Sequence, residues 1–330
     1  MEQQLQDLVS RLRQSLGILH KQDIQTAAQH LGRWMPQHSD QAPILGDDCA
    51  AIADGDGHLL LAAEGLWPQL VETEPWFAGW CAVLVNVSDI YAMGGRPIAV
   101  VDALWSRSSQ HAQDLWAGMM AASQAFNVPI VGGHTNSHSP YDALAVAILG
   151  RASQLLTSFT AQVGDLLVLA TDFDGCPHPR YPFWDAATQK APAQLQANLQ
   201  LLPQIADSHL CDTAKDVSMG GLVGTTLMLM ETSGCGAVLN LDQIPCPPAL
   251  SLEQWLLSFP SYGFLLSLRP QNLGAVQALF QRQGLVCEAI GQVVSGHRLH
   301  LTSGGSCSQL WDLQQAPLTG FSPAVLTSTL

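Results

Sequence analysis

The stretch GWCAVLVNVSDIYAMGG, residues 79–95, decides the fold of this chain. Wound as a helix it is apolar almost all the way round, which is typical of a helix buried on several sides, and we predict a helix over 76–93. Asn86 and Asp89 are three residues apart and share one face of it. A carboxylate there is costly unless it is paired. Asp89 is therefore either hydrogen-bonded to a neighbouring loop or a metal ligand, and taken alone the hydrogen-bonded interpretation is favoured.

Strands and helices alternate on both sides of this stretch, which predicts an α/β protein. The predicted helices are 3–16, 22–32 and 109–126, and the predicted strands are 58–63, 97–105, 128–131 and 143–151. A polar stretch at 152–164 leads into a second set of elements that begins with GDLLVLA (164–170). We therefore predict two domains, 1–155 and 156–330, with 172–192 as a long irregular segment suited to a lid or a partner-facing loop.

The composition restricts the classes of partner. Hydrophobic residues make up 47% and charged residues 12% of 330 residues, and the net charge is −14, from 13 Lys and Arg against 27 Asp and Glu. The lysines are Lys21, Lys190 and Lys215, and no basic cluster occurs. Nucleic acid and anionic membranes are therefore excluded as expected partners. An anionic substrate would need bound cations or backbone N–H groups to offset the acidic excess, which points to Mg²⁺.

The cysteine pattern and the N-terminal sequence bear on location. Eight cysteines are scattered without a C-x-x-C pair, which is typical of free thiols in a reducing compartment. The N-terminus MEQQLQDLVSRLRQ is polar and helical, and no apolar run reaches about eighteen residues. We expect a soluble, cytoplasmic protein.

Two motifs in the first half carry chemistry. ILGDDCAAI (44–52) sets Asp47 beside Asp48, where each carboxylate makes the other harder to ionise. PIVGGHTNSH (129–138) is a strand that runs into a double glycine. That arrangement either brings backbone N–H groups close to a phosphate or forms a tight turn. His134 and His138 lack the glutamate of H-E-x-x-H, so a zinc protease is discounted.

A third motif, TAKDVSMGGLVG (213–224), leads into an apolar helix. Asp216 or Ser218 is expected to cap that helix, and Asp216 could also face a bound cation, since the two roles are not exclusive. Familiar alternatives are missing, since the chain has no P-loop, no G-x-S-x-G and no kinase H-R-D or D-F-G set. If ATP is used, acids must hold its phosphates through Mg²⁺.

Taken together, the motifs GDDCAAI, NVSDIYAMGGRP, VGGHT and DVSMGGLVG resemble the aminoimidazole ribonucleotide (AIR) synthetase superfamily in order and spacing, over about residues 44–300. That superfamily includes selenophosphate synthetase and thiamine-monophosphate kinase. The resemblance implies a two-domain fold in which the N-terminal domains of a homodimer share a β-barrel and the C-terminal domain is an α/β sandwich. It also implies that ATP and Mg²⁺ bind between the domains and that a small molecule is phosphorylated.

The resemblance also implies roles for individual residues. Asp48, Asp89 and Asp216 correspond to metal ligands and catalytic acids, and Glu64 stands where relatives carry the aspartate of TTD. The residues implied in nucleotide binding are Asp47, Asn86, Gly132, Gly133, His134 and Thr135. Divalent cations bound against the adjacent acids would make their proximity tolerable. Each acid taken alone favours a structural role, but several acidic motifs in the order of the family favour a metal site.

Departures from the family pattern limit the function. Selenophosphate synthetase carries its reactive Cys or selenocysteine and a Lys before the first acidic motif, whereas here no cysteine precedes Cys49 and the only earlier lysine is Lys21, which argues against selenide chemistry. The superfamily also contains a hydrogenase maturation protein that ends in a reactive Cys, whereas this chain ends LTSTL, which argues against that role. Met219 stands where thiamine-monophosphate kinase has a second aspartate. We therefore expect Mg-ATP-dependent phosphoryl transfer to an unassigned small-molecule acceptor. The alternatives are a thiamine-monophosphate kinase-like activity and a nucleotide-binding scaffold that has lost catalysis, which the changes at Glu64 and Met219 motivate.

Overall fold

A computed structural model describes residues 2–34 and 45–322 of the chain. The α-helices, in chain order, are α1 Glu2–Arg13, α2 Leu16–Leu19, α3 Ile24–Trp34, α4 Pro68–Thr73, α5 Pro75–Ala92, α6 Ser109–Phe126, α7 Pro192–Leu199, α8 Leu201–Asp207, α9 Gly221–Ser233, α10 Leu252–Leu256 and α11 Leu273–Arg282. Short 3-10 helices span His20–Asp23, Leu241–Gln243 and Pro270–Asn272.

The strands alternate with these helices, as the sequence predicted. They are β1 Ala50–Asp54, β2 Gly57–Gly65, β3 Arg96–Trp105, β4 Ile130–Asn136, β5 Ala143–Ala152, β6 Leu166–Thr171, β7 Cys176–Pro177, β8 Phe183–Asp185, β9 Thr213–Asp216, β10 Gly236–Asn240, β11 Phe259–Pro260, β12 Gly263–Leu268, β13 Val286–Val294, β14 Arg298–Ser303 and β15 Ser306–Asp312. No helix of the described ranges is long and apolar enough to cross a membrane.

The described residues form two compact units that interleave along the chain. The first unit contains 2–34, 156–186 and 208–322, and the second contains 45–155 and 187–207. We call them the β6–β15 unit and the β1–β5 unit after their strands. The two domains predicted as 1–155 and 156–330 remain a prediction.

The β1–β5 unit is built on one mixed sheet with the strand order β1-β2-β5-β3-β4, in which β3 and β4 run parallel and the other neighbours antiparallel. Helix α5 packs on this sheet and α6 packs on α5. Two glycines allow the helices to touch at the backbone: a Cβ at Gly79 would lie 2.1 Å from the carbonyl oxygen of Leu115, and one at Gly118 would lie 1.9 Å from that of Trp76. The shared barrel of a dimer remains a prediction.

The β6–β15 unit is built on a seven-stranded mixed sheet with the order β15-β14-β10-β13-β6-β12-β9. Helix α9 is buried on every side, from Gly221 through Thr232, which explains why its sequence shows no polar face. The N-terminal helix α1 packs on the same unit, because Arg11 forms two 2.8 Å hydrogen bonds with Glu253 and Arg13 donates to the carbonyl oxygens of Leu310 and Gln309.

Two predicted segments differ from the structure. The strand predicted at 128–131 is instead β4, Ile130–Asn136, so the double glycine continues an edge strand and does not form a turn. The segment 172–192, expected to be irregular, contributes β7 and β8 to a small three-stranded sheet with β11. Stacked aromatic rings stabilise that sheet, with 5.1 Å between the ring centroids of His178 and Tyr181.

Candidate metal and phosphate site

Asn86 and Asp89 lie near the end of α5, on a helix whose surroundings are otherwise apolar. Thirteen of the eighteen residues of α5 are buried, including Asn86 at 0% and Asp89 at 6% exposure. The helix ends at Ala92, and two residues later Gly94, with a left-handed backbone (φ +73°), donates its N–H to the carbonyl oxygen of Tyr91. Asn86 donates its amide to the carbonyl oxygen of Ala82 at 2.8 Å, but its Oδ1 atom accepts no hydrogen bond from the described residues. A buried amide oxygen is thus left available to a ligand.

The paired acids of the first motif lie in the bend that precedes β1. Gly46 has a φ of +91°, a conformation that favours glycine, which accounts for the residue before the two acids. The backbone N–H of Asp48 donates to the side chain of Asp47 at 3.0 Å, and both residues are half-buried. Cys49 follows as a buried residue with 2% exposure. The bend therefore fixes Asp47 against the backbone of Asp48.

The structure brings Asp48 and Asp89 together although they are distant in sequence. One carboxylate oxygen of each lies within 4.8 Å of the other. A single divalent cation whose oxygen ligands lie at about 2.0–2.6 Å can span such a pair. The available donors are carboxylate and amide oxygens, with no thiolate or imidazole in the group, and hard cations such as Mg²⁺ prefer this set. The residues present thus fit Mg²⁺.

Asp216 belongs to the β6–β15 unit and ends the edge strand β9. It is 6% exposed, and its carbonyl oxygen accepts a hydrogen bond from the hydroxyl of Thr225 at 3.3 Å. Neither Asp216 nor Ser218 caps α9, because the N-cap is Gly220 and no side chain caps it. The capping interpretation of the sequence is therefore wrong. The turn before α9 is closed by a hydrogen bond of 2.8 Å from the backbone N–H of Gly221 to the carbonyl oxygen of Ser218.

The Gly-Gly-His-Thr segment, residues 132–135, occupies the middle of β4 with its backbone exposed. Because β4 is the edge of its sheet, its outer side pairs with no other strand among the described residues. Unpaired backbone N–H groups on such an edge are available to an anion. Glu64 is exposed near the end of β2, and its role as a metal ligand stays a prediction.

Two further polar residues of the described chain escaped the sequence analysis. Asp102 on β3 is 6% exposed, and neither carboxyl oxygen is hydrogen-bonded to another described residue. Burial, as the largest cause, raises the pKa of Asp102, while its own backbone N–H and the charge of His134 act in the opposite direction. The buried hydroxyl of Ser218 is likewise without a hydrogen-bond partner in the described ranges. For Asp102 a signal existed, since a charged residue interrupts the apolar alternation of PIAVVDALW.

Comparisons with known proteins match both halves of the chain. The family model for the AIR synthase related protein, N-terminal domain, matches residues 46–152, and that for the C-terminal domain matches residues 163–304. An uncharacterized protein of Synechocystis sp. is 63% identical over 96% of this chain and 98% of its own length. Selenide, water dikinase of Colwellia psychrerythraea is 26% identical over 76% of this chain and 83% of its own length. Thiamine-monophosphate kinase of Synechococcus elongatus is 28% identical over 75% and 83%.

Solved structures share the fold. T. maritima PurL complexed with ATP superposes with a TM-score of 0.68 at 19% identity, covering 83% of this chain and 46% of that one. This chain therefore spans about half the length of that protein. AaThiL complexed with AMPPCP and TMP gives a TM-score of 0.63 at 20% identity, with coverages of 81% and 89%. The chain thus has the two-domain α/β fold with mixed sheets that these proteins share.

Proposed function

Because the chain belongs to the AIR synthase related protein family, we propose that it is a Mg-ATP-dependent enzyme that transfers a phosphoryl group to a small-molecule acceptor. The observation that carries this proposal is the pair of carboxylates of Asp48 and Asp89, whose oxygens lie within 4.8 Å of each other, with Asp89 on the buried helix α5. Relatives named as kinases and a fold neighbour complexed with ATP are consistent with it. A pair of acids without a cation would cost stability, and a bound cation removes that cost.

In this proposal the acids divide the work. Asp48, Asp89 and Asp216 hold the metal, with Glu64 as a further oxygen ligand on a longer side chain. Asp47, Asn86 and the Gly-Gly-His-Thr segment hold the nucleotide phosphates. Bound Mg²⁺ supplies positive charge that offsets the phosphate oxygens and the acids together. The backbone N–H groups of β4 orient the phosphate, which suits a chain with three lysines.

We further propose that the enzyme is a homodimer formed through the β1–β5 unit. One face of its sheet is covered by α5, whereas the other exposes large apolar side chains. Leu61 on β2 lies opposite Leu149 on β5, and they are 48% and 36% exposed, while Val101 on β3 is 43% exposed. An apolar patch of this kind on a sheet favours an isologous contact with a second copy, as in the shared barrel that the family resemblance implies.

The decisive experiment compares nucleotide binding and turnover in matched variants. Calorimetry should give saturable binding of ATP in the presence of Mg²⁺, and Asp89→Asn should abolish it with an unchanged thermal unfolding curve. Asp114→Asn, a change of an exposed acid on α6, should leave binding intact. Binding that persists in Asp89→Asn would contradict the proposed metal site.

Turnover separates the enzyme from a scaffold. A pool of small metabolites with Mg-ATP should release ADP above the acceptor-free background, and thiamine monophosphate belongs in that pool because a thiamine-monophosphate kinase is 28% identical to this chain. Met219, which is 37% exposed, stands where that kinase resemblance calls for an acid, and it favours a different acceptor. Nucleotide binding without ADP release for any acceptor would instead support a catalytically inactive scaffold.

A further inference from the structure

Asp102 occupies a position at which the fold calls for an apolar residue. Along β3 it alternates in step with Val100 and Leu104, which are 1% and 0% exposed, so all three point to the same buried face of the sheet. A carboxyl group at such a position costs free energy that a valine or leucine would not. Local rules are broken in this way mainly where function requires it.

The carboxyl group of Asp102 is placed against the Gly-Gly-His-Thr segment. Asp102 is the register partner of Gly133, and a Cβ at Gly133 would lie 2.1 Å from Oδ1 and 2.7 Å from Cγ of Asp102. The carboxyl therefore fills the space that any side chain at 133 would occupy. This arrangement depends on two residues, Asp102 on β3 and Gly133 on β4. Together they place a carboxyl group beneath an exposed backbone segment.

Asp142, another buried acid of the same unit, is hydrogen-bonded in the ordinary way. Asp142, 9% exposed, accepts hydrogen bonds of 2.9 Å from the hydroxyl of Ser106 and from the backbone N–H of Arg107. Asp102 accepts no hydrogen bond from another described residue. The contrast with Asp142 marks Asp102 as an exception to the rule that buried polar groups are hydrogen-bonded.

The surroundings of Asp102 favour its protonated form. Burial raises its pKa, and the titratable neighbour whose charge opposes this effect is His134 on β4. On the β5 side its register partner is Val146, which is apolar and buried. An ionised carboxylate here would repel a phosphate on the adjacent segment, whereas a protonated one adds a hydrogen-bond donor. A phosphate raises the cost of ionisation further, so the two groups stabilise a shared proton.

We propose that Asp102 is a further phosphate-contacting residue, whose protonated carboxyl group donates a hydrogen bond to an oxygen of the phosphate held at the Gly-Gly-His-Thr segment. This inference rests on the proposed function, because it takes that segment to hold a phosphate. Because Gly133 carries no Cβ, the carboxyl group of Asp102 lies directly against the backbone of the segment. Many phosphate sites use a lysine or arginine as the hydrogen-bond donor. This chain has only three lysines, and a neutral carboxyl group can donate a hydrogen bond in their place.

Asparagine and alanine at position 102 test the donor directly. Binding of ATP with excess Mg²⁺ is measured by calorimetry for wild type, Asp102→Asn and Asp102→Ala, with Asp142→Asn as the control for loss of a buried acid. We expect Asp102→Ala to weaken binding about tenfold to a hundredfold, since a hydrogen bond to a charged group is lost. Asp102→Asn should bind within about threefold of wild type, because its amide donates from nearly the same place.

The pH dependence gives a second readout that a purely structural role would not move. As the pH rises through the raised pKa of Asp102 the wild type should lose affinity, and Asp102→Asn should not. Equal losses in the asparagine and alanine variants would mean that a carboxylate is required and would overturn the inference, as would unchanged binding in Asp102→Ala. A wild type that binds no Mg-ATP would instead overturn the proposed function, so the two failures are distinguishable.

Discussion

Replacement of Gly17 by alanine tests how the N-terminal segment supports the turn that follows Asp216. Gly17 lies in α2, outside the residues that the family models match. A Cβ at this position would lie 2.4 Å from the backbone carbonyl oxygen of Met219, whereas ordinary contacts begin at 3.4 Å. The side chain of alanine therefore requires a displacement of about 1 Å, either of α2 or of the turn.

The turn has little room to yield. On its other side Gly221 has a φ of +64°, and a Cβ there would lie 2.3 Å from the carbonyl oxygen of Leu256. Overpacking of a tight contact costs about 1–3 kcal/mol, and the better helix propensity of alanine returns up to about 1 kcal/mol. The net expectation is a loss of about 0.5–2 kcal/mol in the free energy of unfolding.

The same displacement should affect ligand binding. Met219 is three residues from Asp216, and a ligand group displaced by about 1 Å loses much of its contribution to binding or catalysis. We expect Mg-ATP to bind Gly17→Ala about tenfold more weakly. Gly274→Ala is the matched control, because a Cβ at Gly274 meets nothing within 4 Å, and neither stability nor binding should fall.

Urea denaturation and calorimetry on the same preparations measure both effects. If Gly17→Ala lost stability but bound Mg-ATP as tightly as wild type, the N-terminal segment would have a structural role only. If neither quantity changed, the close approach of Gly17 to Met219 would be absent in solution, and the reasoning would be refuted.

Three further perturbations test other parts of the account. Glu231→Gln should lower the free energy of unfolding by about 2–4 kcal/mol in urea denaturation. The reason is that the buried carboxylate accepts hydrogen bonds from the backbone of Leu318 and from the backbone and hydroxyl of Thr319. A smaller loss would mean that these hydrogen bonds contribute little to stability. Leu61→Asp should convert a dimer to a monomer in sedimentation, and an unchanged mass would argue against the proposed interface. Since the pKa of Asp102 is raised in the fold, its contribution to stability is complete below its unfolded value, about pH 4, and is lost as pH rises through the folded value. The free energy of unfolding of Asp102→Asn relative to wild type should therefore increase as the pH rises above about 4. A difference between the two proteins that does not change with pH would contradict the raised pKa of Asp102.

Local pattern was sufficient for much of the fold. The helix predicted over 76–93 is α5, Pro75–Ala92, because an uninterrupted apolar run bounded by Pro75 and by two glycines leaves little choice. Likewise the strand predicted over 143–151 is β5, Ala143–Ala152. Both predictions depend on residues that are neighbours along the chain, where sequence is most informative.

Features that depend on residues distant in sequence could not be predicted. The strand β4 continues through Gly132 and Gly133 because pairing with β3 outweighs the turn preference of two glycines. Asp102 could be flagged as an interruption of an apolar strand, but only the register with β4 places it against Gly133. The approach of Gly17 to Met219 spans most of the chain, and no local signal predicts it.

The central claim is that Asp48, Asp89 and Asp216 hold a divalent cation that carries the nucleotide phosphates. Anomalous diffraction from crystals grown with Mn²⁺ and a non-hydrolysable ATP analogue measures this most directly. We predict a manganese peak within about 2.0–2.4 Å of a carboxylate oxygen from each of the three acids, with phosphate oxygens completing the coordination. A peak bound elsewhere, or nucleotide bound with no metal at these carboxylates, would contradict the account.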